Sequence, residues 1–211
     1  MLRRLAKIIS TILHPSAIPI YLVALLLFTD TIYDVFPVKV KLYLLWVITL
    51  YAMVIPFVGR ALLRHADRWG RGRIRGLRSK AIPLLLGTCC YLLCAITLMK
   101  SPSLMFFRKI AVAAAMSELF CLLTLPFWRA SLHMTAMGAA TAALITLNII
   151  GAQSLFWVML ASIIATGILA SARLYTGRNN GIQILAGFVG GFVVSSLKIY
   201  RGILLFFADQ I

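Results

Sequence analysis

Three short polar stretches interrupt an otherwise apolar chain, and they carry the side chains whose chemistry suggests a function. They are the loop before residue 81, residues 126–133 and residues 171–183. Guanidinium, ammonium, hydroxyl and amide groups all donate hydrogen bonds, and arginine in particular pairs with phosphate oxygens. Because an unpaired polar group is costly in a membrane, these groups should meet an anionic partner. The candidate residues are Arg73, Arg78, Lys80, Arg129, Ser131, His133, Ser171, Arg173, Arg178, Asn179, Asn180 and Gln183. The sequence therefore predicts a site that surrounds a tetrahedral oxyanion.

The composition is typical of a membrane protein. Of the 211 residues, 62% are hydrophobic and 12% are charged, whereas soluble domains are roughly half apolar and about a quarter charged. Several apolar runs approach the roughly 20 residues that a helix needs to cross a membrane, and the alternation of a transmembrane barrel is missing. The predicted fold is all-α, a polytopic transmembrane bundle of six to seven helices in a single integral-membrane domain, 1–211. The predicted spans lie near 17–36, 40–63, 81–99, 104–128, 132–150, 154–172 and 182–207.

Positive charge is concentrated in the N-terminal segment and in the loop between the second and third spans. The chain has 21 Lys and Arg against 5 Asp and Glu. The positive-inside rule predicts that both segments face the cytoplasm. The cations adjoin the spans and no soluble domain accompanies them, so nucleic acid is a poor partner and anionic lipid headgroups fit better. A topology signal in a solvated loop is the simpler alternative. No cleavage site follows the basic N-terminus, so we expect that segment to be retained.

Cysteines and small residues fit structural roles. The four cysteines lie inside apolar spans, and no spacing among them resembles a zinc site, so we expect neither a metal nor another cofactor. The stretch Gly187–Gly191 contains a GxxxG spacing, and Gly138–Ala143 is a looser small-residue run. Both patterns predict close helix packing.

The order of the spans determines which polar stretches share a membrane face. Short turns join the third span to the fourth and the fifth span to the sixth. Each of these pairs crosses the membrane and returns, so the three polar stretches emerge at the same face. We expect Arg129, Ser131, His133, Arg173 and Asn179 to converge there in one pocket.

The polar stretches resemble the motifs of the type 2 phosphatidic acid phosphatase (PAP2) family. These integral-membrane relatives of bacterial acid phosphatases and vanadium haloperoxidases carry the pattern K-x6-R-P, P-S-G-H and S-R-x5-H-x3-D. Ser131-Leu132-His133 is similar to the second motif, and Ser171-Ala172-Arg173 is similar to the start of the third. Gln183-Ile184-Leu185-Ala186-Gly187-Phe188 resembles a helix start in many bacterial members.

The first family motif has a looser match, in which Arg73 stands for the lysine and Lys80 for the arginine. The resemblance covers about residues 73–191 and implies a PAP2-like helical bundle. It also implies that His133 is the general acid for the leaving alkoxide. The phosphate-binding residues that it implies are Lys80, Arg129, Ser131, Arg173 and Arg178, and the supporting residues are Arg73, Arg78, Ser171, Asn180 and Gln183.

One departure from the family pattern concerns catalysis. The histidine that attacks phosphorus in the family is replaced by Asn179, and its acidic partner is replaced by Gln183. An asparagine amide is a poor nucleophile and is not a base near neutral pH. The sequence therefore predicts a protein that binds a phosphorylated lipid and whose catalysis is impaired or lost. The expected location is a bacterial inner membrane.

Two other functions stay open at this point. One is an active phosphatase of lipid phosphates or polyprenyl pyrophosphates, in which His133 acts with an unrecognised nucleophile or an activated water. The other is a small transporter, although the inverted repeats and paired broken helices typical of transporters are not apparent in the sequence. Arg173 also has a purely structural alternative, because a cation at a helix C-terminus complements the helix dipole.

Overall fold

The computed structural model describes residues 2–29, 33, 35–69, 78–149 and 155–208. This part of the chain is helical and contains no strand. The helices are α1 (Leu2–Ile12), α2 (Ile18–Phe28), α3 (Val38–Thr49), α4 (Ile55–Trp69), α5 (Arg78–Thr97), α6 (Met105–Thr124), α7 (Leu132–Ile149), α8 (Phe156–Tyr175) and α9 (Gly181–Ala208). A π-helical turn, Leu50–Val54, joins α3 to α4 without a break. The predicted all-α class is therefore confirmed.

Four helical segments of the described chain are long and apolar enough to cross a membrane. They are Val38–Leu62, Leu132–Ile149, Phe156–Tyr175 and Gly181–Tyr200. Two further apolar helices, Ile18–Phe28 and Ala81–Thr97, are shorter. Transmembrane helices are thus supported by length and composition, while the number of spans stays a prediction.

Each predicted span coincides with a helix, but the bounds differ at the N-terminal end. Within the first predicted span, 17–36, the described helix is Ile18–Phe28, and Thr29 takes an extended conformation that ends α2. Helix α1 was not predicted at all. It is short and carries three cations, so a search for apolar runs of membrane length passes over it.

Helices α7 and α9 pack so closely that their backbones touch at glycines. A Cβ atom on Gly138 would overlap the carbonyl oxygen of Phe188, and a Cβ atom on Gly191 would overlap that of Thr135. A Cβ atom on Gly187 would lie 2.8 Å from the carbonyl oxygen of Ser131. The close packing predicted for both small-residue stretches is confirmed. It places the start of α9 directly against the start of α7.

Helix α1 packs against α8 at the end of the bundle where α7 and α9 begin. Ala6 and Ser10, one turn apart on α1, are buried against the bundle. Arg3, Arg4 and Lys7 of the same helix are exposed. This arrangement brings Ser10 to the last turn of α8, where Arg173 lies.

Candidate functional site

Arg173 is the centre of a polar cluster at this end of the bundle. Its side chain is only 9% exposed. Its Nε and Nη2 atoms donate hydrogen bonds to Oδ1 of Asn179 at 2.9 and 2.7 Å. Its Nη1 atom donates to Oγ of Ser10 at 3.2 Å. The guanidinium thus binds one amide oxygen in a bidentate manner and one hydroxyl oxygen from α1.

The turn between α8 and α9 begins with a standard motif that ends α8 just before Asn179. Gly177 has a φ of 65°, and its N–H donates to Leu174 O at 3.0 Å while the N–H of Arg178 donates to Arg173 O at 3.3 Å. These two bonds form a Schellman motif, which ends α8. Only Arg178 and Asn179 then separate Gly177 from Asn180, whose carbonyl oxygen accepts the N–H of Ile184 at the start of α9. Asn179 is therefore fixed between two helix ends.

The start of α9 is closed by Gln183, which reaches back along the chain. Its Oε1 atom accepts the backbone N–H of Asn180 at 3.3 Å, as in a capping box, and also accepts Nδ2 of Asn179 at 3.3 Å. The two ends of the Asn179 amide are thus both engaged. Its oxygen accepts from Arg173 and its nitrogen donates to Gln183.

Ser131 connects the start of α7 to this turn. Its N–H donates to the carbonyl oxygen of Gln183 at 3.1 Å, and its own carbonyl oxygen accepts the N–H of Thr135 at 2.9 Å. Its hydroxyl lies 3.5 Å from Oδ1 of Asn179, at the long limit for a hydrogen bond. Ser131 is 1% exposed, so this junction is closed to solvent.

Two histidines lie on the side of the cluster that faces α1. The rings of His14 and His133 are edge to face, with centroids 5.7 Å apart. His133 hydrogen-bonds to the backbone of Ser10, and Nδ1 of His14 accepts the N–H of Ser16 at 3.3 Å. Burial, and to a lesser extent the nearby charge of Arg60, lower the pKa of His14 below its usual value of 6.5. The folded protein therefore favours the neutral form of His14.

The predicted site residues divide into those that join the cluster and those that do not. Arg178 is exposed and lies near Arg173 and His133. Arg129 is exposed outside the cluster, and the hydroxyl of Ser171 donates back along α8 to Gly167 O at 3.0 Å. The residues that the structure brings together are Ser131, His133, Arg173, Asn179 and Gln183, with the backbone of Asn180. Three candidates whose side chains lie outside the described part of the chain are Arg73, Arg78 and Lys80.

The charge of Arg173 is not balanced by an acidic neighbour among the described side chains. All three of its hydrogen bonds end on neutral oxygens. Glu118, the only acidic residue whose side chain is described, lies on α6 and interacts electrostatically with Arg60. The cluster therefore combines a buried cation with acceptors that a stronger anionic acceptor could replace.

Sequence reasoning missed Ser10 and gave no role to His14. Both come from the first 14 residues, which are too short and too polar to read as a span. The signal that could have found them is the periodicity of α1, in which apolar and cationic side chains recur on separate sides of a helix. A helix of that kind packs on a larger structure and covers part of it.

The geometry favours anion binding over nucleophilic attack. Asn179 cannot act as a base, and its amide is held by Arg173 and Gln183. The guanidinium offers the fork of donors that binds carboxylate or phosphate oxygens in pairs.

No family model matches the chain, and no curated protein and no solved structure is significantly similar to it.

Proposed function

We propose that this protein is a PAP2-like membrane protein that binds the phosphate group of a phosphorylated lipid at Arg173 without hydrolysing it. The observation that carries the proposal is a guanidinium that is 9% exposed and bonded only to neutral oxygens. A buried charge without a counter-charge costs several kcal/mol, which makes such a position a binding site for an anion.

A phosphate oxygen fits the positions now taken by Asn179 and Ser10. Hydrogen bonds between ionised partners are roughly twice as strong as those between neutral ones, so a phosphate would compete well for the Arg173 donors. The Ser131 hydroxyl lies in the same cluster and supplies a further donor. Arg178 adds a second positive charge near Arg173.

A lipid suits this position better than a free metabolite. The cluster lies where α7 and α9 begin and α8 ends, and these three helices are long and apolar enough to span a membrane. A headgroup at that depth would bring its phosphate to Arg173 while its chains stay among the apolar helix faces. We place the protein in a bacterial inner membrane, where phosphorylated lipids supply such headgroups.

Loss of hydrolysis follows from the chemistry of Asn179. In the PAP2 family a histidine occupies the matching position and attacks phosphorus. Here the same position holds an amide whose oxygen and nitrogen are both engaged. His133 alone could protonate a leaving group, but nothing in the cluster would form the bond to phosphorus. The protein is thus a binder of phosphorylated lipid.

Binding of phosphatidic acid by the purified full-length protein tests the proposal. We expect phosphatidic acid to bind and diacylglycerol, which lacks the phosphate, to bind far more weakly. Arg173→Gln should weaken binding of phosphatidic acid by about 30- to 150-fold, the equivalent of about 2–3 kcal/mol for a lost charge-assisted contact. Lys198→Gln removes one exposed charge on α9 far from the cluster and is the matched control.

Arg173→Lys guards against a variant that fails to fold, because it keeps the charge and removes only the fork of donors. It should bind with intermediate affinity. Equal affinities for phosphatidic acid and diacylglycerol in the wild type would refute the proposal. Release of inorganic phosphate by the wild type that persists in Asn179→Ala and disappears in His133→Ala would instead establish the active phosphatase.

A further inference from the structure

A cationic cleft lies outside the Arg173 cluster, between α1 and the turn that joins α8 to α9. Its volume is about 300 Å³. Four of its lining side chains are positively charged, and among the described residues that line it none is acidic. The lining residues are Arg3, Arg4, Lys7, Thr176 and Arg178.

The cations of this cleft come from two separate elements that the fold brings together. Three of them lie on α1, and Arg178 lies on the turn after α8, far away in the sequence. A topology signal requires positive charge near a span, but it does not require cations from distant segments to face one cleft. Four like charges around one cleft repel each other unless an anion lies between them.

Helix α1 also presents an apolar stripe beside the cations. Leu5, Ile8 and Ile12 are 49%, 54% and 55% exposed. Their spacing puts them within a narrow sector of the helix, since each residue advances about 100° around the axis. Around the helix axis, Arg4 lies next to this stripe, and Lys7 and Arg3 follow beyond Arg4. The exposed surface of α1 is therefore half apolar and half cationic, as in helices that lie in a membrane interface.

We propose that this cleft binds the phosphate group of an anionic phospholipid headgroup, with α1 lying in the membrane interface. The four cations would contact the phosphate, and Leu5, Ile8 and Ile12 would contact the acyl region beside it. A phosphate is the shared chemistry of a lipid headgroup and of free inorganic phosphate. The exposed apolar stripe favours the lipid, because free phosphate would leave it in water.

This second site adjoins the Arg173 cluster, because Arg178 borders both, and it goes beyond the proposed function. Arg173 and Ser10 are buried, whereas Arg3, Lys7 and Arg178 are exposed at the cleft. The two sites share α1 as a wall, because Ser10 on its buried side bonds Arg173. A lipid in the cleft would hold α1 in this position and so keep the inner cluster covered.

Lipid binding by the full-length protein in detergent tests the second site. The probe is dioctanoyl phosphatidylglycerol, whose phosphate is a diester, compared with zwitterionic dioctanoyl phosphatidylcholine. We expect Arg3→Gln/Lys7→Gln to weaken binding of phosphatidylglycerol about 30-fold, since each basic residue near a lipid surface contributes about fivefold. The matched double variant Lys39→Gln/Lys198→Gln removes two exposed cations outside the cleft and should bind like the wild type.

Several results would overturn this second site. One is equal affinity of wild type and Arg3→Gln/Lys7→Gln for phosphatidylglycerol, and another is equal affinity of the wild type for phosphatidylglycerol and phosphatidylcholine. Competition by inorganic phosphate at the same concentration as the lipid would show a free-phosphate site instead of a lipid site. Failure here is distinct from failure of the proposed function, which is read from a different residue, Arg173, and a different lipid, phosphatidic acid.

Discussion

Asn179→Asp should reveal whether Arg173 lacks a counter-charge. The substitution keeps the size of the side chain and replaces the oxygen that accepts both Arg173 bonds, at 2.7 and 2.9 Å, with a carboxylate. An internal carboxylate would take the place that we assign to a bound phosphate. We therefore expect Asn179→Asp to stabilise the free protein and to abolish its response to phosphate.

The size of the effect follows from one attraction and two costs. The costs are desolvation of the carboxylate and loss of the hydrogen bond from Nδ2 of Asn179 to Gln183, whose amide must rotate to offer its NH2 group. Opposite charges about 4 Å apart attract by about 4 kcal/mol at an effective dielectric constant of about 20. Desolvation of the carboxylate cancels a large part of this attraction, although Asn179 is only half-buried, so the penalty is incomplete. We expect a net gain of about 1–2 kcal/mol in the free energy of unfolding. For a chain of this length, that gain raises Tm by roughly 2–8 °C.

Thermal unfolding in detergent, with and without phosphate, measures both consequences. The wild type should gain about 2.7 kcal/mol when phosphate reaches roughly 100 times its Kd, and Asn179→Asp should gain nothing. Asn180→Asp is the control, since it adds the same charge one residue away at an exposed position where aspartate is also a good helix cap. If Asn179→Asp is less stable than the wild type and still responds to phosphate, the reasoning about Arg173 is wrong.

Two further predictions concern packing and pH. Gly191→Ala should lower the free energy of unfolding by about 1–3 kcal/mol, because its Cβ would overlap the backbone of Thr135. Gly167→Ala, whose Cβ meets open space, should change it by no more than about 1 kcal/mol and in the stabilising direction, as unfolding curves of the two variants would show. The pKa of His14 is lowered in the folded protein, so below about pH 6.5 the unfolded state binds more protons than the folded state. The free energy of unfolding therefore decreases as the pH is lowered through that range. Melting temperatures between pH 5 and 7 should therefore fall less steeply in His14→Gln than in the wild type.

The sequence predicts the helices and the proximity of the polar cluster's residues, and it does so for different reasons. Apolar runs predict helices well, because length and hydropathy alone decide whether a segment suits a membrane. The proximity of Ser131, Arg173 and Asn179 follows from the order of two helical hairpins, which is a local property of the chain.

Other parts of the site were beyond the reach of sequence reasoning. Ser10 meets Arg173 only because α1 folds across the end of the bundle, and no local pattern encodes that contact. The orientation of Asn179 likewise depends on the combined geometry of the two helix ends around it. Its exchange for the family histidine could be read from the sequence, but its bidentate bond to Arg173 could not.

The contact between Arg173 and Ser10 joins positions 163 residues apart, and this separation has a consequence for biogenesis. Synthesis produces α1 first and α8 near the end, so Ser10 is made long before its partner exists. Asn179 and Gln183 follow α8, and the guanidinium therefore leaves the ribosome before any of these later acceptors. We expect docking of α1 onto α8 to be among the last steps of maturation. A chain arrested before Asn179 would display an arginine without its bidentate acceptor at a helix end, a defect that membrane quality-control proteases could recognise.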